Sequence, residues 1–188
     1  MNYSTIKTFD IANGIGCRTS LFVSGCRNHC PECFNPETWN FAHGKLFEQD
    51  AINYILDTLA PSYIEGLSIL GGEPFEPDNQ KDILVLLERV KAIYPNKGVW
   101  VWTGFYWDDL FSNTCRANTP ITKDILEKID VLVDGPFDKD QKALGLRFRG
   151  SANQRLIDVP SSLSTGAVVL WEDDPLFDNH NWATDQNK

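Results

Sequence analysis

The spacing of apolar and polar residues along this chain changes period several times, and the changes mark out its elements. Residues 3–16 read as an extended lead-in ending in Asn13-Gly14-Ile15-Gly16, a turn whose glycines suit positive φ. Residues 17–24 read as a strand. Ile52, Ile55, Leu56 and Leu59 then recur as one face of a helix, which Pro61 ends. The apolar run 66–70 has the character of a buried parallel strand. A second helix is expected with Asp78 as N-cap and Ile83, Leu86, Leu87, Val90 and Tyr94 on its inner face, closed by Pro95. A strand at 98–104, a short helical piece at 108–111, a helix capped by Thr122 and carrying Ile125, Leu126 and Ile129, and a strand at 130–135 follow. Further on, strands at 155–159 and 167–171 are expected, joined by a loop at 160–166. Strands alternating with helices imply an α/β fold, a parallel sheet with helices outside it.

Length and charge narrow this picture. At 188 residues the chain suits one domain, whereas a full (β/α)8 barrel needs about 250 residues. A truncated, open barrel fits. The expected division is a domain at 1–171 and a flexible tail at 172–188, where Glu172, Asp173, Asp174, Asp178 and Asp185 face only Lys188. The net charge of −9 disfavours non-specific nucleic-acid binding, which depends on Lys and Arg contacts to phosphate. No apolar run approaches the roughly 18 residues of a membrane span, and residues 1–7 lack the apolar core of a signal peptide. Five cysteines, three of them clustered, do not form a disulfide framework. A reducing cytoplasm is the expected setting.

That cluster is the strongest chemical signal. Cys26, Cys30 and Cys33 are spaced C-x3-C-x2-C in one short loop. Three thiolates supply most of a tetrahedral zinc site, or hold an iron–sulfur cluster one ligand short. Zinc in a structural site takes four protein ligands, and no second C-x2-C follows. His29 sits between two of the cysteines with little freedom to turn inward, and an extended strand places Cys17 roughly 25–30 Å from Cys26. An iron without a protein ligand is an open position for chemistry, so the missing fourth cysteine favours catalysis over a zinc-stabilised interaction module. Cys17 and Cys115 read as packed or incidental thiols.

The C-x3-C-x2-C loop resembles the cluster motif of the radical S-adenosylmethionine superfamily. Together with Gly71-Gly72-Glu73-Pro74, residues 133–137 (Val-Asp-Gly-Pro-Phe) and residues 149–155 (Arg-Gly-Ser-Ala-Asn-Gln-Arg), it makes residues 2–171 similar to the activating enzymes of anaerobic (class III) ribonucleoside-triphosphate reductases. The resemblance implies a [4Fe-4S] cluster on Cys26, Cys30 and Cys33 and S-adenosyl-L-methionine chelated at the open iron. It implies a partial barrel, and an electron from a low-potential donor such as flavodoxin or ferredoxin. Cleavage of the sulfonium then yields a 5′-deoxyadenosyl radical, which takes a hydrogen atom from a glycine of the partner reductase. Many superfamily members carry an aromatic residue just before the third cysteine; here Glu32 precedes Cys33 and the aromatic, Phe34, follows, as in the reductase-activating group.

The candidate cofactor-binding residues follow from strand ends. The cysteine loop with Glu32 and Phe34, the turn Gly71-Gly72-Glu73, Thr103 and Asp134 each follow an expected strand and so share one rim. Gly71 and Gly72 let backbone carbonyls approach the cofactor's ammonium group, with Glu73 beside them; Thr103 and Asp134 are candidates for its ribose or methionine portion. Arg147, Arg149 and Arg155 form a basic patch, either a solvated face or a site for the partner enzyme or the cofactor carboxylate. Two rivals stay within radical chemistry: a deazapurine-type enzyme acting on a small molecule, and an activase of another glycyl-radical enzyme.

Overall fold

A computed structural model describes residues 1–143 and 145–172. Its centre is four parallel strands: β2 (Cys17–Val23), β4 (Ile64–Gly71), β5 (Gly98–Trp102) and β6 (Val131–Asp134). The lead-in is a strand, β1 (Asn2–Asp10), antiparallel to β2, and the two-residue β3 (Lys45–Leu46) lies outside it. At the other edge β7 (Arg155–Asp158) runs antiparallel to β6. The order β3-β1-β2-β4-β5-β6-β7 makes one mixed, open seven-stranded sheet, with the expected parallel pairing confined to its middle.

The helices cover the sheet as their periodicity predicts. α1 (Gln49–Leu59) buries Ile52, Ile55, Leu56 and Leu59, and α2 (Pro77–Ile93) buries Ile83, Leu86, Leu87 and Val90. These meet Leu21, Leu67, Ile69, Val99, Val101 and Leu132 from the strands in one apolar core. Each such side chain removed from water contributes about 1.5–3 kcal/mol. α3 (Thr122–Leu126) adds Ile125 and Leu126.

Four local expectations are corrected. Residues 160–166 are not a loop: α4 (Val159–Thr165) forms there, its N-terminus capped by the Asp158 carboxylate, which accepts from the Ser161 N–H at 2.9 Å. Residues 167–171 are not a strand beyond a single bridge between Leu170 and Ile157, because α4 redirects the chain. Asp78 lies inside the first turn of α2, whose N-cap is Glu76, since Pro77 with its preset φ starts the helix. Thr122 is the first residue of α3, with Ile121 as N-cap. The tail expected from 172 onward lies, from residue 173, outside the described residues. No helix among the described residues is long and apolar enough to cross a membrane.

Candidate functional site

The turn leaving β4 grips the start of the cysteine loop. Gly71 has φ +107°, and a Cβ there would stand 2.9 Å from the Cα of Phe22 and from the N and O of Val23, so glycine is required where β4 ends against β2. The Gly72 N–H donates to the Val23 carbonyl (2.8 Å), and the Glu73 N–H to the Gly25 carbonyl (2.9 Å). From the first turn of α2, the Asn79 amide donates to the carbonyls of Ser24 and Glu73, both at 3.0 Å.

Glu73 joins this turn to two other segments. Its carboxylate is 1% exposed. Oε1 accepts from the Phe75 N–H (2.9 Å) and the Thr103 hydroxyl (2.8 Å); Oε2 accepts from the Gly104 N–H (2.8 Å) and Asn28 Nδ2 (2.9 Å). Burial pushes its carboxyl up to about 7 against the downward pull of these donors.

Cys26, Cys30 and Cys33 are free thiols on the wall of one cavity of about 190 Å³, which Phe34, Gly71, Gly72, Glu73 and Thr103 also line. Burial pushes the Cys26 thiol up to about 12 and raises that of Cys30. A buried thiol keeps its proton at neutral pH until a metal displaces it. Among the described residues no three His, Cys, Asp or Glu side chains converge on a position for a single metal ion. His29, the conceivable fourth zinc ligand, stacks instead on Trp39, with ring centroids 4.6 Å apart. Three thiols around a shared cavity, without a fourth on its wall, fit a multi-iron cluster in which each liganded iron takes one cysteine.

Two sequence candidates lie off the cavity wall. Glu32 is exposed, at φ +57°. Asp134 is fully buried, its carboxylate accepting from Arg155 Nε (3.0 Å), Arg155 Nη2 (2.5 Å) and the Trp107 N–H (2.8 Å). It thus ties β6 to β7 and to the turn after β5. Phe34, 68% exposed, meets Phe137 edge-on at 5.6 Å. Thr103 reaches the wall, though its hydroxyl is committed to Glu73.

The wall also holds residues that the sequence did not single out: Asn28, Asn35, Trp39, Trp102, Phe137 and Gln154. A signal existed for most of them, because Asn28 and Asn35 lie in the cysteine loop, and Phe137 and Gln154 in the two downstream motifs. Gln154 donates to the Gly135 carbonyl (3.0 Å) and accepts from the Gly150 N–H (2.7 Å), joining those motifs. Arg147, Arg149 and Arg155 line a different cavity, of about 290 Å³, beside Leu156, Leu170 and Trp171. None of the three lines the thiol cavity.

Comparison with known proteins agrees with this geometry. Residues 12–157 match the family model of a 4Fe-4S single cluster domain, which supports an iron–sulfur cluster over zinc. The chain is 39% identical over 156 residues to the anaerobic ribonucleoside-triphosphate reductase-activating protein of Enterobacteria phage T4, covering 83% of this chain and 93% of that one. The proteins of the same name from Escherichia coli K12 and Haemophilus influenzae are 41% and 42% identical, each match covering 82% of this chain and 96% of the relative. Thiol loop, glycine turn and identity over most of both chains agree: this chain belongs to the family of anaerobic ribonucleoside-triphosphate reductase-activating proteins.

Proposed function

We propose that this chain activates an anaerobic ribonucleoside-triphosphate reductase by radical S-adenosylmethionine chemistry, its open sheet serving as the partial barrel of that superfamily. The observation that carries this reading is three free thiols on one cavity wall, without a fourth, beside the Gly71-Gly72-Glu73 turn. When bound, a [4Fe-4S] cluster fed by a flavodoxin or ferredoxin would supply the electron that cleaves S-adenosyl-L-methionine, giving the 5′-deoxyadenosyl radical that takes hydrogen from a partner glycine.

The chain's own residues position and shelter. Cys26, Cys30 and Cys33 would each hold one iron. Carbonyls of the Gly71-Gly72 turn would accept from the cofactor's ammonium group, while Glu73, with both oxygens engaged, braces the turn against Asn28 and Thr103. Asp134 acts at one remove, through Arg155 and the Trp107 N–H. Leu70, Trp102 and Phe137 line part of the cavity with apolar surface. No side-chain acid or base is required, because the cofactor carries the chemistry.

The test is anaerobic. Reconstituted protein is expected to be brown, and with reductant, S-adenosylmethionine and the reductase to give a glycyl-radical doublet in the paramagnetic resonance spectrum. Alanine at Cys26, Cys30 or Cys33 should abolish stoichiometric iron, whereas Cys17→Ser and Cys115→Ser should leave it intact. A colourless protein holding one zinc overturns the reading. So does a cluster-bearing protein that cleaves the cofactor yet leaves no radical on the reductase, which would point to a small-molecule substrate.

A further inference from the structure

Between Cys26 and Cys30 the loop has little regular structure of its own. His29 has φ +48°, and the flanking Gly25 has φ +96°. All three residues of this span are held from outside, His29 by its stacking on Trp39 and the other two by polar contacts. Glu76, 0% exposed, accepts from the Arg27 N–H (2.9 Å), from Arg27 Nη1 (2.5 Å) and from Arg116 Nε (3.1 Å). Arg116, 88 positions beyond Asn28, also donates from Nη2, which itself lies 3.1 Å from Glu76 Oε1, to Asn28 Oδ1. Asn28 Nδ2 then donates to Glu73. Both ends of the Asn28 amide are thereby committed, one to a cation and one to a carboxylate. The Arg116 Cζ lies 4.7 Å from the centroid of the Phe105 ring, a cation–π contact.

Nothing in the ligation or cofactor contacts described above uses Arg116 or Glu76. We propose that Arg116 is a positioning residue: anchored on buried Glu76, its planar fork holds Asn28 against Glu73 and so sets where the Cys26–Cys30 segment presents its thiols to the cluster. The geometry is specific to arginine. A lysine ammonium is a single charge on a flexible stem, and lacks a rigid fork to span the Glu76 carboxylate and the Asn28 carbonyl together. The same reasoning makes Asn28→Asp disruptive, because it sets a second carboxylate against Glu73 where an N–H now donates. Groups one step removed from metal ligands commonly change metal affinity by about 10- to 100-fold when altered.

The inference rests on the proposed cluster, and its test reads the cluster rather than turnover. Wild type, Arg116→Lys, Arg116→Gln, Asn28→Asp and the Arg116→Lys/Asn28→Asp double variant are reconstituted as full chains. Release of iron to a chelator is followed by loss of visible absorbance, and folding is checked by circular dichroism. Each single variant is expected to release iron about tenfold faster than wild type, and the double variant no faster than the worse single one. The paramagnetic resonance line shape of the reduced cluster should change in Arg116→Lys, although charge is conserved. Wild-type release and line shape in Arg116→Lys would overturn the proposal, as would effects that multiply in the double variant. Should Arg116→Gln fail to fold, Arg116→Lys and Asn28→Asp still decide. If wild type takes up no cluster, the functional reading falls; if it does and the variants match it, only the role of Arg116 falls.

Discussion

Two charged side chains are withdrawn from water at opposite ends of the same parallel strands, and they are held differently. Arg18, at the start of β2 and 2% exposed, donates to Ser68 Oγ (2.8 Å) and to the carbonyls of Leu67 (2.9 Å) and Gly98 (2.7 Å), with its guanidinium 5.5 Å over Trp100. Its hydrogen-bond partners are neutral dipoles, and burial lowers its pKa to about 10, which leaves it charged at neutral pH. Glu73, at the other end, gathers donors from the cysteine loop, its own turn and the turn after β5. Arg18 crosses strands that the β-ladder already pairs, whereas Glu73 joins loops that no ladder reaches. Burial alone therefore does not distinguish a structural charge from one that shapes a site; the kind of segment it joins does.

The largest effect should come from Arg18→Met, which strands the buried Ser68 Oγ and Leu67 carbonyl and the half-buried Gly98 carbonyl. Urea unfolding is expected to show a loss of about 3 kcal/mol or more, while the folded fraction still takes up its full iron. An iron content that falls with this substitution would erase the contrast between the two ends.

Next is Glu73→Gln, which places an NH2 group against donors and should cost about 1–3 kcal/mol. It also tests a sign. The Glu73 carboxyl is raised from 4.5 to about 7, so between those values the folded chain binds a proton that the unfolded chain has lost. Its contribution must then make the metal-free protein less stable as pH rises through that window, and level above it. Denaturation across that pH range should show this slope in wild type and not in Glu73→Gln; equal slopes would refute it.

The smallest effect is a control remote from both charges. Asp158→Ala removes the cap of α4 and should cost about 1 kcal/mol in thermal unfolding, without changing iron content. A loss of iron there would mean that the site senses global stability rather than its own loops.

The strands and helices that carry the site were legible because their signals are local. The periodicity of 52–59 and 83–90 named the buried faces of α1 and α2, and the apolar run ending at Gly71 marked β4. α4 was misread for want of weight on signals that were present: Asp158 as cap, Pro160 in the first turn, and Gly166 at φ +72° closing the helix. Asp134 could not be judged from its position after a strand. Its partner Arg155 faces it across the antiparallel β6–β7 register, a pairing decided by which strand comes to lie at that edge.

The sequence by itself determined the thiol loop and the glycine turn, because cysteines spaced within one short loop and a strand-to-helix turn are short-range properties of the chain. Only the tertiary structure decided which buried charges meet: Arg18 with the carbonyls of β4 and β5, Asp134 with Arg155, and Arg116 with Glu76 and Asn28. A charge taken out of water must find its partner wherever the fold brings one within about 3 Å, and spacing along the chain carries no record of that.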